Sequence, residues 1–455
     1  MNQTHARLTP ALKELPAHTG LVVALSGGLD STVLLSLLVQ MQIKKQLNTS
    51  LRALHINHRL LPAAESFETH CRQLCKNWQV PLTVKQVTVN TKGSAGREGE
   101  ARTARYEAFK QNLQNDEVLL LAHHRDDQME TFLLRLMRGA GPRGLAAMPA
   151  LRKLDKGWLA RPLLHADRKE LLSHAKAAEL VWVEDPGNSD ETLDRNYCRY
   201  TILPALAERW PGYKESWNKT ITLADEAESL LQNLAQQDLQ TAMNLHNKNQ
   251  QEKNSQGKNP SLPLAHIRTL PPARQRNTLR LFLHQAGLPD PGWNKLQELA
   301  NNLIPPTTTN HAELKLGNHT LTLHRDQLHI VPLMPPINSD QHLSWNPSQS
   351  NTLQLPNNGQ LKAIPATGKG LAQTKTEFHI AYRQGGETCK LTNRPSKTLK
   401  QLLQESDFPP WLRPRLPLLY EHNKLACIPN IGTAEEFAAQ PNTSGWLIHW
   451  QPPTG

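Results

Sequence analysis

Short apolar runs alternate with helical stretches through the first half of the chain. Runs of strand character fall at Leu21–Leu25, Leu51–Ile56, Leu82–Val89 and Val118–Ala122, with helical stretches such as Ser31–Gln40 and Glu65–Trp78 between them. That alternation predicts βαβ units and an α/β fold whose N-terminal part is a doubly wound, Rossmann-like parallel sheet. Sheets of this kind bind ligands outside the carboxyl ends of their strands, so chemistry is sought just after each run. Near residue 215 the period becomes helical: Glu215–Asn244 carries apolar residues at helical spacing. Residues 244–263 are Asn-, Gln- and Lys-rich and nearly free of apolar residues, which predicts a mobile surface loop. A helical piece at Pro272–Gln285 and a β-like stretch at His311–Val331 follow. The expected organisation is a catalytic domain over 1–215, a mainly helical middle domain over 216–335, a Pro-, Asn- and Ser-rich linker over 336–360 and a small α+β domain over 361–455.

Composition narrows the class. The 455 residues allow about three domains, and 51 Lys+Arg against 40 Asp+Glu leave a net charge of +11. A basic excess suggests a polyanionic partner, nucleic acid first, although many basic proteins bind none. No apolar run approaches the ~18 residues of a membrane span, and MNQTHARLTPALKEL lacks the apolar region of a signal peptide, so a cytoplasmic location and no membrane partner are expected. Five scattered cysteines, an odd number, argue against a disulfide framework.

The most informative stretch is Leu21–Thr32, LVVALSGGLDST. An apolar strand runs into Ser26, Gly27, Gly28, Leu29, Asp30 and Ser31, and a helix begins at once. Two glycines let backbone approach an anion, and the N–H groups of the turn and helix start point at it. Ser26, Ser31 and Thr32 add hydroxyls. Asp30 repels phosphate unless a cation lies between them, which suggests Mg²⁺ bridging the two. The loop lacks the spacing and the lysine of a Walker A motif. An ordinary glycine turn with a Ser/Asp helix cap is the blander account. The SGGxDS pattern resembles the signature of the PP-loop (N-type) ATP pyrophosphatases, which implies an adenine nucleotide alpha hydrolase-like fold and ATP cleavage between the α- and β-phosphates.

Three further constellations stand at or near strand ends. His55, Asn57, His58, Arg59 and Leu60 close the second strand. Arg102 and Arg105, with Tyr106 and Phe109, share a helix, and their i, i+3 spacing puts both guanidinium groups on one face. They clamp an anion or, on the blander account, pair with Glu98, Glu100 and Glu107. The fourth strand ends in His123, His124, Asp126, Asp127 and Glu130. Carboxylates at a helix start also suit the macrodipole; Asp127 and Glu130, three apart, are equally spaced to hold an ammonium group. No zinc spacing is evident. Residues Arg135–Arg161 hold seven Lys/Arg against one Asp, a net +6 over 27 residues.

These stretches, with Arg161–Leu163, Glu184–Pro186, Asp194–Asn196, Arg199, Tyr382–Glu387, Lys400–Leu402 and Pro409–Leu418, resemble the tRNA(Ile)-lysidine synthetase family across both ends of the chain. The 216–360 region is less distinctive, and Asn57 stands where the family often has histidine. The resemblance implies a C–N bond-forming ligase. ATP would adenylate O2 of the wobble cytidine, position 34, in the CAU-anticodon isoleucine tRNA; the ε-amine of L-lysine would then attack C2 and release AMP. It implies ATP contacts by Ser26–Ser31, Mg²⁺ on Asp30, lysine contacts by Asp127 and Glu130, and catalytic roles for Asp30, Asp127, Arg102, Arg105 and Arg195. Asp127 ranks above His123 as the base. Basic residues Arg138, Arg143, Arg394, Arg413 and Arg415 are the expected tRNA contacts. No zinc or iron–sulfur cluster is expected, and a homodimer is one option for assembly. Two rivals remain. A related tRNA-modifying enzyme, such as a cytidine thiolase, would use paired cysteines, whereas Cys71 and Cys75 are spaced CxxxC and Cys198, Cys389 and Cys427 are isolated. A non-catalytic ATP-binding protein would leave the acidic cluster and arginines without a task.

Overall fold

In a computed structural model the described residues are 3–58, 64–89, 96–184, 186–249, 260–305, 313–338, 343–373 and 377–453. Arg59, Leu60, Asp185 and the side chain of Glu98, all singled out from the sequence, lie outside them. The chain forms two compact units, Met1–Leu230 and Leu231–Gly455.

The first unit opens with α1 (Gln3–Lys13), then alternates β1 (Gly20–Ala24), α2 (Leu29–Ile43), β2 (Ser50–Asn57), α3 (Ala64–Asn77), β3 (Leu82–Gln86), α4 (Gly96–Asn112), β4 (Glu117–Leu120) and α5 (Arg125–Met137). A short α6 (Pro142–Leu145), the hairpin β5 (Leu151–Leu154) and β6 (Gly157–Ala160), and α7 (Arg168–Ala177) follow. The sheet order is β3-β2-β1-β4-β6-β5; all neighbours are parallel except β5, which returns antiparallel to β6. The α/β expectation holds. Leu21, Val22 and Val23 of β1 are at most 1 % exposed, as a strand covered on both faces requires. One face packs under α2 and α7 through Leu34, Leu38, Leu171 and Ala175, the other under Phe109 of α4 and Leu113 just after it. Strand β1 lies between β2 and β4, so the order reverses there and a crevice opens past the carboxyl ends of β1 and β4.

After α7 come α8 (Asp194–Tyr197), a π-helical turn over Cys198–Ile202, α9 (Leu203–Arg209) and α10 (Tyr213–Asn249). Helix α10 runs through residues expected to begin the polar loop at 244, and Ser261–Pro263 pairs with Gln327–His329 as an antiparallel strand. Only the middle of that expected loop, 250–259, lies outside the described residues.

In the second unit, helices Pro272–Gln285 and Gly292–Leu303 pack with a four-stranded sheet formed by Ser261–Pro263, Glu313–Leu316, His319–His324 and Gln327–Pro332. The remainder builds a five-stranded and a four-stranded sheet around Trp345, Leu361, Phe378, Leu418 and Trp450, with a two-stranded ribbon of Thr388–Cys389 and Lys397–Thr398 beside them. The linker expected over 336–360 is corrected here. Leu343–Trp345 and Thr352–Gln354 are strands, Trp345 and Leu355 belong to the core, and Asn358 is fully buried, bonding Arg415 and Tyr382. Its Pro, Asn and Ser content reflects turns between short strands rather than a free tether.

Candidate active site at the carboxyl ends of β1 and β4

The loop after β1 is a web of its own hydroxyls. Ser26 N–H donates to Ser31 Oγ at 3.2 Å, the two Oγ atoms lie 3.0 Å apart, Gly28 N–H reaches Ser26 Oγ at 3.3 Å, and Ser31 Oγ donates to Gly28 O at 3.2 Å. Gly27 sits at φ +86°, and a Cβ there would meet Cys71 Sγ at 3.1 Å, so both the backbone and the space require glycine. Val183 N–H donates to Gly27 O at 3.0 Å and holds the loop from outside. Gly28 is the N-cap of α2 in extended conformation with no side-chain cap. The first N–H groups of α2 therefore face the crevice without a side-chain acceptor, the arrangement that binds anions.

The turn after β4 faces this loop across the switch point. His124, 1 % exposed, has Nε2 at 3.6 Å from Asp30 Oδ2 and 3.5 Å from Asp127 Oδ2, with Nδ1 at 3.6 Å from Asp126. Burial pushes its pKa down, but Asp127, Asp30 and Asp126 outweigh it and hold the imidazole above its ordinary value. Asp127 accepts His124 N–H at 2.9 Å, one half of a capping box at the start of α5. Burial pushes the Asp127 carboxyl upward, yet His124 and Arg195 prevail and bring it to about 2, so it stays anionic. His123 is the opposite case. Burial, aided by Arg161, Arg195 and Arg102, lowers it to about 3 against the pull of Asp127; Arg161 Nε donates to Nδ1 at 3.2 Å. Neutral His123 therefore carries its proton on Nε2.

Asp127 and Glu130 share a face of α5, as their spacing predicts, and two arginines occupy them. Arg195 donates to Glu130 Oε2 at 2.7 Å and Asp127 Oδ1 at 2.8 Å; Arg199 donates to Glu130 Oε1 at 2.6 Å and Asp127 Oδ1 at 3.3 Å. The Glu130 side chain is fully enclosed. Arg195 and Arg199 lie four apart where α8 passes into the π-helical turn, an irregularity common at functional sites. Asn196 pins that segment by donating to Gly187 O and Asp190 O.

The other expected site residues are placed as follows. Arg102 is exposed and donates to Tyr106 Oη at 3.3 Å; Arg105 is half-buried near His58. Arg138 and Arg143 are exposed on the segment after α5, and Arg394 is exposed in the second unit. Arg413 is half-buried, with Nε donating to Phe408 O at 2.9 Å. Arg415 corrects an expectation: it is 8 % exposed and donates to Asn358 Oδ1, Pro335 O and Asn357 O. Charge and a neighbouring tryptophan marked it as an RNA contact, but those bonds make it a tie within the second unit. All five cysteines are buried and free of disulfides.

Arg199, Arg161, Tyr106 and Arg152 had no assigned role from the sequence, although all join this neighbourhood. The i, i+4 spacing of Arg195 and Arg199, set against the i, i+3 spacing of Asp127 and Glu130, was the available signal for the first of them.

Comparison with known proteins agrees with this geometry. The PP-loop domain matches residues 1–206, the TilS substrate binding domain 262–329 and the TilS substrate C-terminal domain 378–450. The tRNA(Ile)-lysidine synthase of Pseudomonas aeruginosa is 39% identical over 458 residues, covering 99% of this chain and 97% of the relative. That of Coxiella burnetii is 36% identical over 456 residues, with the same two shares covered. With a nucleotide-type crevice at the switch point and likeness running from end to end, the chain belongs to the tRNA(Ile)-lysidine synthase family.

Proposed function

We propose that the protein joins L-lysine to C2 of the wobble cytidine, position 34, in the CAU-anticodon isoleucine tRNA, forming lysidine with release of AMP and pyrophosphate. The product would change both codon reading and aminoacylation from methionine to isoleucine. The observation that carries this reading is the meeting of Asp30, from an anion-binding loop, with His124 and Asp127, from the facing turn, around one crevice.

In this reading the N–H groups of Gly27–Ser31 and the hydroxyls of Ser26 and Ser31 hold the triphosphate, and the loop orients the α-phosphorus toward the cytidine O2. Asp30 Oδ1 is buried without a hydrogen-bond partner, which suits a cation, so Asp30 is the residue that would hold Mg²⁺. When bound, that ion supplies charge neutralisation between carboxylate and phosphates. Arg105 meets the charge that grows on the departing groups. Asp127 and Glu130 form the acidic pair offered to the lysine ammonium. Both accept from Arg195 and Arg199 in the free protein, so lysine binding requires at least one guanidinium to withdraw; Arg195, 30 % exposed, is the more accessible. His123 is unsuited to take the amine proton, because Arg161 occupies its Nδ1 and its Nε2 is protonated. Asp127, held anionic, takes that task in this reading.

The test incubates the full chain with ATP, labelled lysine and unmodified CAU-anticodon isoleucine tRNA. Label is expected in the RNA and is expected to vanish when cytidine 34 is replaced. Incorporation indifferent to that replacement overturns the substrate; ATP binding without lysine-dependent pyrophosphate release favours a non-catalytic nucleotide-binding protein.

A further inference from the structure

Beside the crevice, on the α4 face of the sheet, one phenol ring gathers three guanidinium groups. Arg102 Cζ lies 5.0 Å from the centroid of Tyr106 and Arg152 Cζ lies 5.2 Å from it. Arg102 also donates to Tyr106 Oη at 3.3 Å, and Arg152 and Arg161 approach the same oxygen. Arg161 is itself fixed, donating Nη1 to Pro149 O at 2.6 Å and Nε to His123 at 3.2 Å. Among the described residues none of these three arginines has a carboxylate partner. Arg135 lies close enough to feel Arg102 and Arg143 as well. Like charges crowd here in the free protein, and a cation–π contact of about 1 kcal/mol each does not offset that repulsion. An arrangement of fixed, converging, uncompensated guanidinium groups is what a phosphate oxyanion binds best.

We propose that Arg102, Tyr106, Arg152 and Arg161 form a seat for a backbone phosphodiester of the RNA substrate, next to the nucleotide being modified. This rests on the function proposed above and specifies how that substrate is gripped. Two sources offer the same oxyanion, the RNA backbone and the phosphates of ATP, and sheet geometry separates them. Arg152 is on β5 and Arg161 directly follows β6, whereas the nucleotide loop follows β1. Three inter-strand steps part β5 from β1, about 14 Å at the usual strand spacing. The β5 edge is therefore far from phosphates held at Ser26–Ser31, while an RNA strand entering over the basic Arg135–Arg161 segment passes directly by it. Tyr106 acts as the positioning residue: its ring spaces two guanidinium groups and its hydroxyl orients them.

The experiment measures binding of a fluorescently labelled anticodon stem-loop RNA to the full chain over a salt series, alongside ATP binding measured separately. Arg152→Gln is expected to weaken RNA binding about tenfold at moderate salt and to reduce the slope of log affinity against log salt by about one, with ATP affinity unchanged. Tyr106→Phe is expected to lose less RNA affinity than Tyr106→Leu, since it keeps the ring that spaces the arginines. A stem-loop carrying one neutral methylphosphonate beside the target cytidine is expected to bind wild type weakly and to be indifferent to Arg152→Gln. Weakened ATP affinity with RNA binding intact would overturn the proposal and give the site to nucleotide phosphates. Unchanged binding of both would also overturn it, leaving a purely structural cluster. Because these readings are of binding, failure of wild type to incorporate lysine would count against the proposed reaction alone.

Discussion

Glu130 provides the sharpest test of how the acidic pair is built. Its carboxylate is fully enclosed and accepts from Arg195 Nε at 2.7 Å, Arg199 Nε at 2.6 Å and Arg199 Nη2 at 3.1 Å. Replacing it with alanine leaves two guanidinium groups facing Asp127 alone, and it opens space beneath α5. Breaking a buried ion pair by removing one partner costs roughly 3–5 kcal/mol. Arg195 and Arg199 retain 30 % and 23 % exposure, so water recovers part of that, and about 2–4 kcal/mol is the expected loss. For a unit of about this size each kcal/mol shifts the melting midpoint by roughly 2–4 °C. The melting midpoint followed by circular dichroism is therefore expected to fall by about 4–16 °C for Glu130→Ala, and by less for Glu130→Gln, which keeps one acceptor. A melting midpoint within 1–2 °C of wild type, together with lost lysine incorporation, would refute the ion-pair account and make Glu130 a ligand-binding group only.

Other consequences follow from single features. Asp30 is one-third exposed, so Asp30→Ala is expected to keep the far-UV spectrum and melting midpoint while abolishing pyrophosphate release; a collapsed spectrum would make its role structural. Burial raises the Cys71 thiol to about 12 and Cys75 to about 11, which leaves a thiolate fraction of at most about one in a thousand at pH 8. Iodoacetamide is expected to spare both in the folded protein and to label both in urea; rapid native labelling would contradict their burial. Arg415→Ala leaves Pro335 O, Asn357 O and Asn358 Oδ1 without their donor, so it is expected to destabilise the second unit by about 2–4 kcal/mol. The salt dependence of RNA binding is expected not to change, and a reduced slope would restore Arg415 to the RNA interface.

The parallel sheet was legible because both faces of β1, β2 and β4 are buried, which writes strands as apolar runs. Their observed ends differ from the expected ones by one or two residues. The hairpin β5–β6 carries Arg152, Lys153, Asp155 and Lys156 among its few apolar positions and reads as a charged loop. The anion-binding loop was equally plain, since Gly27 must adopt φ +86° and the hydroxyls must lie on a tight turn. Pairings across the fold were less so. Nothing in a one-dimensional pattern tells that Arg195 and Arg199 arrive from 65 and 69 residues away to cover Glu130, or that Arg102 and Arg152 flank one ring. The 336–360 segment misleads for a related reason: strands of three residues are too short to show a period, so turn residues dominate its composition.

The most direct measurement is a crystal structure of the full chain soaked with a non-hydrolysable ATP analogue. The phosphates are expected within hydrogen-bond distance of the N–H groups of Gly27–Ser31, with the α-phosphorus facing the His124 and Asp127 side of the crevice. Phosphates bound elsewhere, or a loop from Ser26 to Ser31 closed off by side chains, would contradict it.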